Sequence, residues 1–485
     1  NVIQLQYYYK QQIQTDSGME ITMADSQKGK IDMTTGHIMK NIILFAIPII
    51  IGNVLQQLYT TVDALVIGKY CGDTSLAAVG TSSQPVEVLL CVFLGIGTGV
   101  SILISQYTGA RESGKVVSVC GTSITLIYIV GIPIGILGWF AAPYILEFMK
   151  VPQDVWNAAL IYTRVVFLGT LGNLGYNMNA GILRGLGDSK ASLWFLVVSC
   201  VSNIVFDLLF VAGFGMDVAG AALSTSIAMF ISWIVSIVYI RKKFPEIQFT
   251  YLPRRFSGTM MKAILAIGLP VGLNNSLYSL GHVALQTFNN SQGAIFMAGG
   301  AVAGRITGCS NIAITGLSSA ATTFSGQNYG AKKYSRIKEG HWRIPLCSGL
   351  ITLSFGLLFI MIHKPIIRFF SSDEMVLMYA SRHVIVMLLS QWFYAIFNCI
   401  ISIVNGTGKV RYTTIVNILM LWAVRIPSAY IISRYFDGTW VMLCFPISFS
   451  FGMFAMIGYY LFSPAWKEVM RMAGKKQNEG EKNLA

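Results

Sequence analysis

The sequence predicts an all-α integral membrane protein with twelve transmembrane helices in two pseudo-symmetric six-helix lobes. Three observations carry that expectation. The chain of 485 residues is 54% hydrophobic and only 12% charged, about half the charged fraction a soluble domain uses to keep its surface wet. Its apolar residues fall in blocks of ~20–30, long enough to cross a ~30 Å hydrocarbon core as helices. Sequence markers in the first half recur in the second at a near-constant offset. Barrel strands are excluded because the blocks are too long and too continuously apolar.

In chain order, the apolar runs place helices at about 41–68, 76–106, 118–147, 156–183, 190–212 and 218–240, and then at about 260–288, 293–325, 343–366, 375–404, 411–435 and 439–463. Several are long enough to tilt or to project beyond the bilayer. The tails and the even loops hold about 26 of the 35 Lys and Arg residues, which by the positive-inside rule puts both termini in the cytoplasm. The heavy clusters are Arg241-Lys242-Lys243 with Arg254-Arg255, and Lys332-Lys333 with Arg336 and Lys338. The expected organisation is a disordered cytoplasmic tail at 1–35, a first lobe at 36–240, a cytoplasmic linker at 241–259, a second lobe at 260–465 and a cytoplasmic tail at 466–485. The first ~33 residues lack the charged start, apolar stretch and cleavage site of a signal peptide.

The repeat rests on three markers. Gln106-Tyr-Thr-Gly109-Ala110-Arg111 matches Gln327-Asn-Tyr-Gly330-Ala331-Lys332, and Arg184-Gly185-Leu-Gly187 matches Asn405-Gly406-Thr-Gly408. The step from Gly109 to Gly330 is the same as that from Gly185 to Gly406, and the step from Pro48 to Pro270 is longer by a single position. Six spans per half is even, so both halves enter the membrane the same way. That is a parallel repeat, with a site expected between the halves.

The net charge of +14 does not indicate nucleic acid, because the basic residues gather in alternate loops and form no stripe. The eight cysteines are scattered singly, with no C-x-x-C and no metal-ligand spacing, and read as small apolar fillers. Gly109-x-x-x-x-Gly114-Lys115 fits most of a phosphate-binding loop, but Val116 replaces the Ser or Thr that would hold Mg²⁺, and no strand precedes it. None of the five histidines pairs at zinc spacing. His282 lies deep in a helix and reads first as a packed polar residue. No catalytic constellation is visible, so no enzyme activity is expected.

Polar residues in the spans are the candidates for function, since an unpaired Asp near a helix centre costs ~3 kcal/mol. Asp63, Glu87 and Asp207 qualify. Helical residues rise by about 1.5 Å each. On that scale Asp63, Asp207, Asn203 (one turn before Asp207) and Thr225 all fall in the outer half of the first lobe. Two carboxylates with amide and hydroxyl oxygens suit Na⁺; if only one ionises, they equally suit a proton. The bland alternative is a set of interhelical hydrogen bonds. In the second lobe no Asp or Glu lies between Glu246 and Glu339, and Asp373, Glu374 and Asp437 fall in predicted outer loops. Arg305 and Arg425 lie near mid-depth there. They bond backbone carbonyls at helix breaks, or reach water by snorkelling, or form a positive cavity wall. Pro48 is a candidate hinge in the first helix, or simply a fixed kink.

Several strings together resemble one family. Ile47-Pro48 with Gln56-Gln57-Leu58-Tyr59-Thr-Thr-Val62-Asp63 is similar to the first helix of multidrug and toxic compound extrusion (MATE) transporters. So are the Gln-x-x-Gly-Ala-[Arg/Lys] loops, Leu183-Arg184-Gly185-Leu-Gly187, Asn203-Ile-Val-Phe-Asp207, Val218-Ala-Gly220-Ala221-Ala222-Leu223-Ser-Thr225 and Arg425-Ile-Pro427. The resemblance covers about residues 35–463. It is closer to the DinF-like bacterial type than to NorM proteins with acidic residues in the C-terminal lobe. It implies a V-shaped antiporter that exports organic compounds, cationic or amphipathic, in exchange for H⁺ or Na⁺. It also implies Asp63, Asn203, Asp207 and Thr225 as the coupling-cation site. Glu87 matches no family position and is either a solvated residue near the outer face or a second proton carrier. The expected partners are a small organic substrate and the lipid bilayer of the cell membrane, with no nucleic acid, no cofactor beyond the coupling ion, and a monomeric state. The alternative function is a lipid-linked oligosaccharide flippase of the same wider group; fourteen helices and a strongly cationic cavity would favour it.

Overall fold

The computed structural model describes residues 30–253 and 255–482, and every regular element among them is helical. The first half comprises α1 (Ile38–Tyr70), α2 (Asp73–Gly109), α3 (Ser113–Phe148), α4 (Gln153–Leu168), α5 (Thr170–Gly185), α6 (Ser189–Asp207) continued by a π-helical stretch at Leu208–Gly213, and α7 (Asp217–Lys243). The second comprises α8 (Gly258–Asn290), α9 (Ala294–Gly330), α10 (Tyr334–Phe370), α11 (Glu374–Gly406), α12 (Val410–Ile418), a π-helical stretch at Leu419–Arg425, α13 (Ile426–Tyr435) and, after a 3₁₀ turn, α14 (Cys444–Phe462). α15 (Pro464–Lys482) ends the described chain.

Counting α4 with α5, α6 with its π stretch, and α12 with α13, these make twelve spans. Ten are long and apolar enough to cross a bilayer, and α4 with α5 makes an eleventh, bent by 47°. α9 is the twelfth. Its 37 residues match α2 in length, but its Gly, Ser and Thr content lowers its hydropathy. The outside of the molecule carries Phe140, Leu137, Trp194, Leu350 and Phe454 at more than 60% exposure, a girdle that only a lipid phase leaves stable.

Local chemistry sets the ends. Asp188 caps α6 by accepting from the Ala191 N–H at 3.1 Å, and Asp373 caps α11 by accepting from Met375 N–H at 2.8 Å and Val376 N–H at 3.1 Å. The fourth span was expected to be continuous but breaks at Gly169, where an added Cβ would lie 2.2 Å from Ser226 Oγ. Most helices overrun their apolar stretches by a turn or so (38–70 against an expected 41–68), and α10 by nine residues at its start (334 against 343), because polar helical ends project beyond the hydrocarbon.

The two halves are more interwoven than separate lobes. Ile38, Ile42, Phe45 and Ala46 at the start of α1 are buried in the core formed by α9, α10, α11 and α14. Reciprocally, Ile264 and Ile267 at the start of α8 are buried with α2, α3, α5 and α7. Each half therefore lends the beginning of its first helix to the other. Glycines make the crossing possible. A Cβ on Gly95 would sit 2.2 Å from the Gly272 backbone, and one on Gly99 would sit 2.8 Å from that of Gly268. Gly95-x-x-x-Gly99 of α2 thus meets Gly268-x-x-x-Gly272 of α8 backbone to backbone, the small-residue packing of membrane helices.

Three segments expected as tails or linkers are packed. The first tail was expected to run to residue 35; residues 1–29 lie outside the described part, as does Arg254 of the basic linker, but residues 30–36 form a strap across both halves. Ile31 N–H donates to Gly187 O (3.0 Å), Met33 N–H to Gln327 Oε1 (3.0 Å), Asn328 Nδ2 to Met33 O (3.0 Å) and Lys333 Nζ to Thr34 O (2.9 Å). The linker buries Phe244, Ile247 and Phe249 in the first core, and Tyr128 OH donates to Tyr251 O at 2.8 Å. The expected second tail begins as α15, whose Trp466 is fully buried and stacks on Tyr460 at 4.7 Å. The basic clusters are also partly structural. Lys243 pairs with Asp188 at 2.7 Å, whose side chain is 1% exposed, and Arg336 donates to Gly36 O at 2.9 Å. Both ends of the described chain lie at this same, basic end of the bundle.

The glycine contact gives a direct test. Gly272→Leu inserts a side chain where backbones touch, and overpacking of this kind costs about 1–3 kcal/mol or more. The melting temperature of the purified protein in detergent should fall by several degrees, whereas Gly304→Ala, with open space around its Cβ, should leave it unchanged.

Candidate coupling site

The first-half candidates come from three helices. Asp207 is the last residue of α6, where the ladder loosens into the π stretch, a distortion often found at functional sites. Asn203 is one turn earlier on the same face. Their exposures are 0% and 2%. Asn203 Nδ2 donates to Thr225 Oγ1 of α7 at 3.3 Å. Asp63 of α1 brings its carboxylate to Asp207, with Ser224 of α7 beside them. Ser224 Oγ also donates to Gly220 O at 2.8 Å. Neither Asp207 oxygen, nor Asp63 Oδ1, nor Asn203 Oδ1 has a hydrogen-bond donor among the described residues. Tyr59 and Tyr162 lie within electrostatic reach of this group. Val66, Ile67, Val211 and Ala221 close over it with a small apolar cluster. The four predicted residues thus fall into two contacting pairs, Asp63 with Asp207 and Asn203 with Thr225, on successive turns of α6.

The remaining candidates are dispersed. Glu87 is exposed on α2, a turn before Cys91, and among the described residues no contact joins it to the Asp63–Asp207 group. Pro48 is buried within α1, which runs through it unbroken. Its turn lies against α9, where a Cβ on Gly316 would meet Ile50 Cγ1 at 2.4 Å, and one turn later Asn53 Nδ2 donates to Thr315 Oγ1 at 3.0 Å.

The two arginines part company. Arg305 is exposed, with its guanidinium over the Phe370 ring at 5.9 Å. Phe370 ends α10, so the Arg305 side chain has snorkelled from mid-helix toward the end opposite the strap, following the N-terminal tilt of helical side chains. Arg425 neither bonds a backbone carbonyl among the described residues nor reaches water. It is fully buried, held by Ser448 Oγ at 2.9 Å and Tyr278 OH at 3.2 Å.

Sequence reasoning undervalued the repeated Gln-x-x-Gly-Ala loops. Gln106 Nε2 donates to Gly406 O at 2.8 Å, and Gln327 Nε2 to Gly185 O at 3.2 Å. Each glutamine thus bonds the loop of the opposite half. A Cβ on Gly109 would lie 1.9 Å from Gln327 O and one on Gly330 would lie 1.8 Å from Gln106 O. The repeat was the signal; what it could not reveal is that the copies bind each other. Together with the strap, they shut the basic end.

Twelve spans in two interwoven repeats, with a polar pocket buried in one half and the bundle shut at one end, define a multi-pass membrane transporter. The MatE family model matches residues 48–209 and again 270–431. One unit is therefore used twice, at the spacing that separates Pro48 from Pro270, and the chain belongs to the MatE family. Among its relatives, the probable multidrug resistance protein YoeA of Bacillus subtilis is 28% identical over 88% of this chain and 95% of its own. A probable multidrug resistance protein NorM of Thermotoga maritima is 26% identical over 85% and 90%. The DNA damage-inducible protein F of Escherichia coli is 25% identical over 75% and 80%. A solved structure described as the outward-facing conformation of a multidrug resistance MATE family transporter of the MOP superfamily superposes with a TM-score of 0.80 at 24% identity, over 92% of this chain and 99% of that one. Its likeness establishes the fold.

The Asn203–Thr225 contact can be measured by itself. A double-mutant cycle of Asn203→Ala and Thr225→Ala, read by unfolding in mixed micelles, should give a coupling of about 0.6–1.7 kcal/mol.

Proposed function

We propose that this protein is a cation-coupled antiporter of the cell membrane that exports organic compounds of cationic or amphipathic character. The observation that carries the reading is the meeting of Asp63 and Asp207, from α1 and α6, with both Asp207 oxygens buried and no cationic partner beside them among the described residues. Buried charge without a partner is strongly unfavourable. A proton or a Na⁺ supplies the missing partner, and carboxylate, amide and hydroxyl oxygens are the hard ligands Na⁺ uses. Cation arrival therefore changes how tightly α1 is held to α6. Because α1 also seats in the core of the other half, a change at Asp63 is transmitted to the seam between halves, with Pro48 at the α1–α9 contact as the turn that bends. Coupling follows if cation and substrate favour different arrangements of that seam. The basic end is assigned to the cytoplasm by its Lys and Arg content, and the protein works as a monomer. The names of its multidrug-resistance relatives support the substrate class.

Reconstituted protein tests the reading. With ΔpH and Na⁺ gradients imposed separately, one of the two should drive efflux of an organic cation. Asp63→Asn keeps size and hydrogen bonding but removes ionisation, so the variant should fold, reach the membrane and lose gradient-driven efflux. Asp207→Asn should lose most of it. Wild-type rates from both variants, at matched reconstitution, would move the coupling site elsewhere. For the orientation, single-cysteine variants in a background without the native cysteines should be labelled from outside intact cells at residue 373. At residue 332 labelling should require permeabilisation.

A further inference from the structure

The second half holds a buried charge of the opposite sign. Arg425 is 0% exposed, yet no carboxylate among the described residues pairs with it. The sequence offers none within its own span or the spans on either side, since no Asp or Glu lies between Glu374 and Asp437 or between Asp437 and Glu468. Its Nε and Nη1 donate to Ser448 Oγ and Tyr278 OH, while Nη2 is buried with no acceptor among the described residues. The rings of Phe445 and Phe449 stand 4.9 Å from the guanidinium carbon, and that of Tyr278 stands 5.4 Å from it. Such rings offset part of the cost of a cation but accept no hydrogen bond from Nη2 in the plane of the guanidinium. His282, whose ring lies 4.9 Å from that of Tyr278, is exposed and marks an open side.

The location is not arbitrary. Arg425 follows Asn203 at the same offset that relates Pro48 to Pro270, and Ser448 follows Thr225 at that offset plus a single position. Asn203–Thr225 and Arg425–Ser448 each join the fifth span of a half to its sixth. The repeat has thus placed a guanidinium at the counterpart of the cation pocket.

The geometry points to an anion-binding site in the second half, centred on Arg425 Nη2 with the Tyr278 hydroxyl and the His282 imidazole at its open edge, that takes one monovalent anion. A halide and the carboxylate of an organic compound share the required chemistry: one negative charge, in-plane acceptance from a guanidinium, and tolerance of aromatic walls. The site stands on the geometry of the second half and does not depend on the coupling assignment to Asp63 and Asp207.

The test uses purified full-length protein in detergent at fixed Na⁺ and ionic strength. Sodium gluconate, whose strongly hydrated polyol chain is a poor match for the aromatic walls, is replaced stepwise by sodium chloride in one arm and by sodium benzoate in the other, and the melting temperature is followed. A saturable rise is expected in wild type. Saturation by chloride alone identifies an inorganic anion, and saturation by benzoate alone identifies the carboxylate of an organic compound. Arg425→Gln should abolish the response. Because that variant risks misfolding, Ser448→Ala, which keeps the charge and frees one donor, provides the second reading. Its half-saturating concentration should shift by about fivefold, the scale of one hydrogen bond. No saturable rise in wild type with either anion overturns the proposal, as does a response unchanged in both variants.

Discussion

The architecture depends on helices from opposite halves being allowed to touch at the backbone. α2 and α8 approach so closely at Gly95, Gly99, Gly268 and Gly272 that no side chain fits between them. In a bilayer, lipid is as apolar as leucine, so packing and hydrogen bonding must supply the association. Glycine maximises the first by removing the side chain that separates two helices. With that contact made, the starts of α1 and α8 can lie in each other's half. The two six-helix units then share cores at the basic end instead of meeting as separate bodies.

The second consequence is an asymmetry between the ends of the molecule. At the basic end, Gln106 and Gln327 exchange bonds with Gly406 and Gly185, and the strap at 30–36 crosses the seam. Almost every one of these contacts uses a backbone group, which cannot be withdrawn without leaving it unpaired. Beyond mid-depth, the bond between the halves among the described residues is that of Ser276 Oγ to Val88 O at 2.8 Å. A transporter must alternate which end is shut. Here the shut end combines the shared apolar seats of the α1 and α8 starts with many small hydrogen bonds, and the hydrogen bonds can be exchanged for water one at a time.

Much of this was legible in the sequence. Apolar blocks gave most span ends to within about a turn, because hydrocarbon thickness fixes their length, but missed the polar start of α10, which begins at Tyr334 and not at 343. The repeat offsets gave the symmetry, and the rarity of intramembrane acids singled out Asp63 and Asp207. What was not legible depends on which surfaces meet. Nothing local in Ile38–Ala46 says that they will be buried against the far half, and nothing in residues 30–36 marks a strap. Their hydrogen bonds run to residues some 300 positions away. Arg305 and Arg425 looked alike in sequence, two cations near mid-depth. One has a route to the surface along its helix and takes it; the other is enclosed by Ser448 and three rings.

The opposite charges of the halves follow from duplicating one scaffold. In a repeat, the fifth and sixth spans of each half offer the same buried crossing, and a polar pair is needed at both to tie the helices. At the first crossing the pair is Asn203 with Thr225, neutral, leaving Asp63 and Asp207 to supply a charge that a cation can cancel. At the second the pair is Arg425 with Ser448, and the guanidinium is permanently charged. On the proposed function the first half changes its charge by exchanging a small cation, while on the anion-site proposal the second keeps its own and has it balanced from outside. That division suits a machine in which one half switches and the other stays fixed. The two halves then differ in response because they differ in chemistry at corresponding positions, even though the backbone that carries them is the same unit used twice.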